Sequence, residues 1–289
     1  MYLHLGKGKS MKNYDGYPKG MIIHNKASHH LYSTPEDTDF FLALRRIQVL
    51  YMGGNDYIFN ALMRSNILRE RVTLQREEFW LTVMKFFVEN TMIEPSKISE
   101  VIDYIQFCKY QPGPYINGRM TPPLHPNFSM KGRNPVSLIN QSDEWHFQNQ
   151  IFNRGNRQHA QLGHYIQREV VDYSWNGLRI SNDKIKRGKN KFYEIIQLKS
   201  FFELRDEGNY MHHCVASYAG SCKNGSCGIF SVREYVGDAF LDRTATIEVR
   251  GNSVVQVRGK YNRQPDDNTI KSIKEWSEKT KLTFSQYAL

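Results

Sequence analysis

The chain has 289 residues, of which 40% are hydrophobic, 13% aromatic and 24% charged. This composition excludes a disordered protein, and the length accommodates about two domains of roughly 150 residues each. The formal net charge of +10 at pH 7 favours an anionic partner such as nucleic acid.

Residues 1–35 are polar, show no sustained period, and are predicted to form an irregular leader with one strand near residues 20–24. The N-terminus lacks the apolar segment of a secretory signal. The most apolar stretch, residues 79–88, is about half a membrane span and contains Lys85. We therefore expect a cytoplasmic protein without membrane insertion, whose cysteines are reduced.

A helical pattern begins at about residue 36. Thr34 and Pro35 form a helix-start signal, and apolar residues then recur at spacings of three and four. Further amphipathic helices are predicted from about residue 56, over 75–90, and from Pro95. Four such helices with short connections are typical of an all-α bundle or a solenoid-like layer.

The segment 111–127 contains five prolines and is predicted to be an extended linker. A further helix is expected over about 135–161, with Trp145 and His146 at its centre. The predicted helical domain thus covers residues 36–170.

The period changes in the C-terminal part, residues 171–289. A strand pair over 173–180 and 192–196 is predicted to flank a basic loop, and a helix over 200–208 follows it. The later predicted elements are strands at 228–234, 244–250 and 253–259, with a tight turn at 251–252, and a closing helix over 266–279. The fold class predicted is α+β, an all-helical N-terminal region followed by a small antiparallel sheet with helices.

Residues 211–227 contain three of the four cysteines and two adjacent histidines. Cys214 lies at a predicted helix start, where a lowered pKa favours the thiolate, and His213 is next to it. A thiol enzyme is one interpretation. A zinc site of His212 or His213 with Cys214, Cys222 and Cys227 is another, although the spacing matches no common zinc pattern. The third is a buried, structural thiol and histidine. The sequence identifies no cofactor.

Alternation along residues 244–250 places Glu248 on the polar face of its strand, opposite the apolar face of Ala245, Ile247 and Val249. Gln256 on the next strand is expected to lie beside Glu248, with Asn262 just past the strand end. The candidate catalytic set consists of His213, Cys214, Glu248, Gln256 and Asn262.

Basic residues interleaved with aromatic ones favour nucleic-acid binding by the C-terminal part, where 22 Lys and Arg face 15 Asp and Glu over residues 151–289. Solvated strand and turn positions are the alternative. The candidate nucleic-acid-binding residues are Lys184, Lys186, Arg187, Lys189, Lys191, Arg243, Arg250, Arg258, Lys260 and Arg263.

The motif Met211-His212-His213-Cys214-Val215 with Tyr218, then Ala245-Thr246-Ile247-Glu248, then Gln256, Gly259, Asn262 and Pro265 resembles the PcfJ-like family. That family is associated with conjugative plasmids, phages and other mobile elements. Arg45, Gly53-Gly54, Phe79-Trp80, Asp103-Tyr104-Ile105 and Trp145-His146 extend the resemblance over about residues 40–280.

The resemblance implies that His213, Cys214, Tyr218, Glu248, Gln256, Gly259 and Asn262 are family positions, and it supplies no established reaction. It implies a role in binding or processing nucleic acid within a mobile element. Two alternatives stay open. One is a thiol- or metal-dependent enzyme that uses His213 and Cys214. The other is an assembly protein of a conjugation or phage system that docks a protein partner through the helical domain.

Overall fold

The structure is a computed structural model that describes residues 7, 10–35, 37–113, 115–116, 119–153 and 173–289. The chain forms two compact units. The helical unit consists of Met1–Glu89 and Pro95–Gly155, and the sheet unit consists of Asn90–Glu94 and Asn156–Leu289. The predicted boundary between residues 170 and 171 lies outside the described residues, as do residues 154–161 of the predicted long helix.

The described part of the helical unit contains six α-helices and three short 3-10 helices. The α-helices are α1 (Phe40–Tyr51), α2 (Asp56–Leu62), α3 (Asn66–Arg69), α4 (Glu77–Glu89), α5 (Pro95–Tyr110) and α6 (Pro135–Asn153). The 3-10 helices are Met11–Asn13, Asn25–Ser33 and Arg71–Arg76. Two-residue strands β1 (Tyr115–Ile116) and β2 (Arg119–Met120) pair within the segment predicted as a linker.

The first 35 residues differ from the expected irregular leader with one strand. Met21, Ile23 and Leu31 are buried in one core with Leu44 and Ile47 of α1, and residues 20–24 form no strand. Helix α1 begins later than predicted because the Asp39 carboxylate, not Thr34, accepts from the backbone N–H groups of Phe41 and Leu42.

A buried ion pair joins α1 to α4. The Arg45 guanidinium is fully buried, and its Nη1 donates to Glu77 Oε1 at 2.8 Å. Gln48 Oε1 accepts from the same Nη1, and Thr73 Oγ1 accepts from Nη2 at 2.7 Å. The buried positive charge of Arg45 therefore has one acidic partner and two further hydrogen-bond acceptors, which offset the cost of removing it from water.

The sheet unit contains a six-stranded sheet and three described α-helices. The strands are β3 (Asp183–Lys186), β4 (Lys191–Leu198), β5 (Gly228–Val236), β6 (Ala239–Arg250), β7 (Ser253–Arg258) and β8 (Thr283–Phe284). They lie in sequence order, antiparallel except for the parallel pair β7–β8. The helices are α7 (Phe201–Met211), α8 (Ala219–Lys223) and α9 (Asp267–Lys279).

One face of the sheet packs on α9, where Phe230, Ile247 and Trp276 are completely buried. The opposite face carries a second cluster, in which Leu204 of α7, Tyr218 and Ile229 are also completely buried. The N-terminal unit is helical, and in the C-terminal unit α7 and α9 pack on the two faces of the sheet, which confirms the α+β fold class. Of the described helices, none is long and apolar enough to cross a membrane.

Two local differences from the predicted sheet have physical causes. The strand predicted over 173–180 is not formed, since Gly177 has a φ of 77° and this stretch makes one isolated bridge, Ser174 to Ser200. A register shift next to Glu248 brings Val254 into the core beside Val257, whereas uninterrupted alternation along β7 would place Val255 there.

Loss of Arg45 is expected to destabilise the helical unit strongly. Arg45→Met leaves the Glu77 carboxylate buried without its guanidinium partner, which should lower the free energy of unfolding by about 3–5 kcal/mol. Arg45→Met combined with Glu77→Leu should recover part of this loss. Urea unfolding of both variants measures the effect, and a double variant no more stable than the single one would contradict it.

Candidate functional site

The segment that contains His213 and Cys214 follows helix α7. The start of this helix was predicted correctly. Ser200 Oγ accepts from the Glu203 backbone N–H, and Glu203 accepts from the Ser200 backbone in return, which completes a capping box. Gly208 does not end the helix, which continues to Met211. A Cβ at Gly208 would lie 2.8 Å from the His213 carbonyl oxygen, so glycine permits the chain to fold back onto the helix.

His213 is buried and connected to two residues of the sheet unit. Its Nε2 lies 3.0 Å from Thr246 Oγ1, and that hydroxyl lies 2.7 Å from Glu207 Oε1. His213 Nδ1 has no hydrogen bond to another described residue. The three side chains form a short polar chain beneath α7, in which an exchange of protons between Glu207 and His213 would pass through one hydroxyl.

Burial determines the protonation states of His213 and Glu207, the two ionisable groups that Thr246 links. Loss of solvent lowers the pKa of His213 to about 4, so its imidazole is neutral at physiological pH. The same loss of solvent raises the pKa of Glu207, opposed by its bonds to Thr246 and Ser231 and by the nearby Arg243. Both groups are therefore held towards their uncharged forms.

Cys214 does not have the environment of an activated nucleophile. It is buried, and burial raises the pKa of its thiol to about 12, instead of lowering it as expected for a helix start. The helical turn that follows is a 3-10 turn, Val215–Tyr218, which Cys214 precedes without a side-chain cap. The thiol is therefore protonated at neutral pH.

Glu248 is the centre of a second polar cluster. Tyr218 OH donates to Glu248 Oε2 at 2.9 Å, and Arg250 Nε donates to Glu248 Oε1 at 2.6 Å. Arg250 Nη2 also donates to Glu94 Oε1 at 3.1 Å. Ser221 Oγ donates to the same Glu94 oxygen at 3.2 Å. We call Glu94, Tyr218, Glu248 and Arg250 the carboxylate cluster.

The remaining candidate catalytic residues are Gln256, which lies beside Glu248, and Asn262, which has a different partner. Gln256 is the register partner of Glu248, as predicted, and is buried with its Oε1 unpaired among the described residues. Asn262 Oδ1 accepts from the backbone N–H of Met92 at 3.4 Å. The structure thus brings Glu248 and Gln256 together and gives His213 and Asn262 other partners. The Cys214 thiol makes no hydrogen bond to another described side chain.

Backbone strain is concentrated at the loop next to these residues. His212, Tyr261 and Asn262 all have φ values between 55° and 59°, in the left-handed region. The rings of His212 and Tyr261 stack on each other with centroids 4.4 Å apart. This conformation is uncommon for non-glycine residues, with Asn and His adopting it more often than bulky residues such as Tyr.

The zinc interpretation gains no support from the donor geometry. Cys222 and Cys227 are buried with their sulfur atoms 3.6 Å apart, and the contact with Cys222, followed by burial, raises the pKa of the Cys227 thiol. Over the described ranges, however, no three His, Cys, Asp or Glu side chains are grouped so that they could hold a metal ion.

The ten predicted nucleic-acid-binding residues fall into three groups. Lys184, Arg187, Lys191, Arg243 and Arg250 form ion pairs with acidic side chains. Arg258 Nε donates to Thr91 Oγ1. The other four, Lys186, Lys189, Lys260 and Arg263, are exposed and have no acidic partner among the described residues.

Sequence reasoning missed Glu94, Glu207 and Thr246. Glu94 lies in a segment far from the motif in the sequence, and no local pattern connects it to Arg250. Thr246 could have been found, because it shares the polar face of β6 with Glu248. Glu207 looked like an ordinary surface residue of a helix, yet it is fully buried.

Comparison with known proteins gives one match. The family model described as PcfJ-like protein matches residues 137–274. No curated protein and no solved structure matches the chain. The predicted resemblance is thus confirmed over this range, which contains His213 and Asn262 and everything between them. The upstream likeness, from Arg45 to Asp103-Tyr104-Ile105, lies before it.

The four cysteines are expected to resist thiol reagents in the folded protein. All four are buried, and the Cys214 thiol has a pKa of about 12, so little thiolate forms at pH 8. Ellman's reagent should therefore react slowly until denaturant is added, after which four thiols should titrate. Rapid modification of Cys214 in the native protein, located by mass spectrometry, would instead support an activated nucleophile.

His213 is expected to make stability pH-dependent. Its pKa is 6.5 when unfolded and about 4 when folded, so between these values the unfolded chain binds a proton that the folded one rejects. The free energy of unfolding should thus fall by about 2–3 kcal/mol as the pH falls from 6.5 to 4. His213→Gln lacks this ionisation and retains Glu207, so its profile should be flatter; identical profiles would contradict the prediction.

Proposed function

We propose that this chain, which belongs to the PcfJ-like family through residues 137–274, binds nucleic acid through basic side chains of its sheet unit. The observation that carries the proposal is the exposure of four cations without acidic partners among the described residues. These are Lys186, Lys189, Lys260 and Arg263. Such cations bind phosphates at little cost, because no internal ion pair has to be broken first.

The burial of the motif residues supports binding by exposed cations instead of by these residues. His213, Cys214, Tyr218 and Glu248 are almost completely inaccessible, and a catalytic side chain has to reach its substrate. The geometry favours a structural role for them, whereas the loop from Lys260 to Arg263 carries exposed cations. The catalytic assignment of the buried residues stays a prediction.

The biological setting that we propose is the handling of nucleic acid by a mobile genetic element. The family resemblance alone supports this setting. The excess of Lys and Arg over residues 151–289, 22 against 15 acidic residues, is consistent with a polyanionic partner.

Affinity for nucleic acid is expected to fall steeply with salt. Each phosphate contact contributes about 0.7–0.9 to the slope of log K against log salt concentration. Replacing Lys260 and Arg263 together by Gln should therefore reduce the slope by about 1–2. Fluorescence anisotropy with labelled DNA and RNA, single- and double-stranded, measures this.

Lys191→Gln is the matched control. Lys191 is basic and half-buried, and it already pairs with Glu234, so its loss should leave the slope nearly unchanged. The absence of binding at low salt, or binding independent of salt, would overturn the proposed function.

A further inference from the structure

A continuous row of aromatic rings crosses the sheet unit. The rings of Phe192 on β4 and Tyr235 on β5 are parallel, with centroids 5.0 Å apart. Phe240 on β6 follows at 5.7 Å from Tyr235, and Tyr210 on α7 follows at 6.3 Å from Phe240. Three strands and one helix thus contribute consecutive rings to one row.

The row continues through the cation of Lys260 to residues 260–263, which we call the strained loop. Lys260 Nζ lies 4.9 Å from the centroid of the Tyr210 ring. The next residue, Tyr261, stacks on His212. We call Phe192, Tyr210, His212, Tyr235, Phe240 and Tyr261 the aromatic strip.

Several members of the strip are exposed although their rings are large and apolar. Phe240 is 45% exposed and Tyr261 is 55% exposed. Val236 and Leu241, which follow Tyr235 and Phe240 in the sequence, are exposed as well. Apolar side chains gathered at one place on a surface mark a binding site, whereas scattered ones need no explanation.

Cations accompany the rings along the strip. Lys184 lies 5.2 Å from the centroid of Phe192, Arg243 lies 4.7 Å from that of Tyr210, and Arg263 lies 5.8 Å from that of Tyr261. Acidic groups neutralise two of these cations, since Lys184 pairs with Glu194 and Arg243 with Asp206. Lys260 and Arg263, at the end of the strip, keep their charge available.

The strained loop presents the exposed ring at that end. Tyr261 and Asn262 adopt left-handed backbone conformations in succession, and His212 adopts one at the end of α7. Met92, through its N–H, donates to Asn262 and helps to hold the loop. Backbone strain of this kind is enriched at functional sites.

We infer that the aromatic strip binds a single-stranded nucleic acid, with bases stacked on its rings and phosphates against Lys260 and Arg263. This inference rests on the proposed function and names its substrate class. In a duplex the faces of the bases are covered by neighbouring bases, so exposed rings find no partner there. An unpaired strand offers every base face, and stacking of this kind is tolerant of sequence.

Anisotropy with a labelled single strand and with its matched duplex, at equal salt, tests the inference on the full chain. Phe240→Leu removes a ring and keeps the apolar bulk, and Tyr261→Asn removes a ring and suits the left-handed backbone. Each should weaken single-strand binding about tenfold, which corresponds to about 1.4 kcal/mol, and should leave duplex binding within about twofold.

Tyr32→Leu is the matched control, because Tyr32 is a 70% exposed tyrosine of the helical unit. It should change neither affinity. Thermal unfolding of every variant excludes loss of fold as the cause.

The outcomes separate the inference from the proposed function. Single-strand binding that depends on Phe240 and Tyr261 supports both. Binding that depends on Lys260 and Arg263, is equal for the strand and the duplex, and is insensitive to the ring variants overturns the inference and leaves the proposed function in place. Absence of binding to either nucleic acid overturns both.

Discussion

The buried carboxylate of Glu248 is the constraint around which the sheet unit is organised. A charge without solvent requires compensation, and the structure provides it from Tyr218 and from Arg250. Arg250 is shared with Glu94, so the requirement reaches residues 90–94, which belong to the sheet unit although they interrupt the sequence of the helical unit. One carboxylate thus fixes a strand, a 3-10 turn and a distant segment in a single arrangement.

The residues in and next to the family motif form a buried group and an exposed group. Residues that face inwards, His213, Cys214 and Glu248, are buried and are held in uncharged or paired states. The outward residues at His212 and Tyr261 instead display rings on strained backbone. The backbone N–H of Met92 bonds to Asn262 and helps to hold the strained loop, which carries the exposed side chains.

Local patterns in the sequence predicted the parts that depend on local physics. Alternation of apolar and polar residues placed Glu248 beside Gln256, and the spacing of Ser200 and Glu203 predicted the capping box. The burial of Glu248 was not predictable, because period-2 alternation shows which residues share a face but not whether a second layer covers that face. The partnership of Arg250 with Glu94 was out of reach for a related reason: it joins residues 156 positions apart.

Counting charge in the sequence has a similar limit. The ten candidate cations look equivalent in the sequence, yet five are paired with acidic side chains and four are exposed without such a partner among the described residues. Net charge therefore overstates the electrostatic attraction that this unit offers to a polyanion. In the proposed binding mode, with Lys260 and Arg263 beside the exposed ring of Tyr261, a larger share of the affinity for nucleic acid comes from stacking. Stacking discriminates between paired and unpaired bases, whereas phosphate charge alone does not.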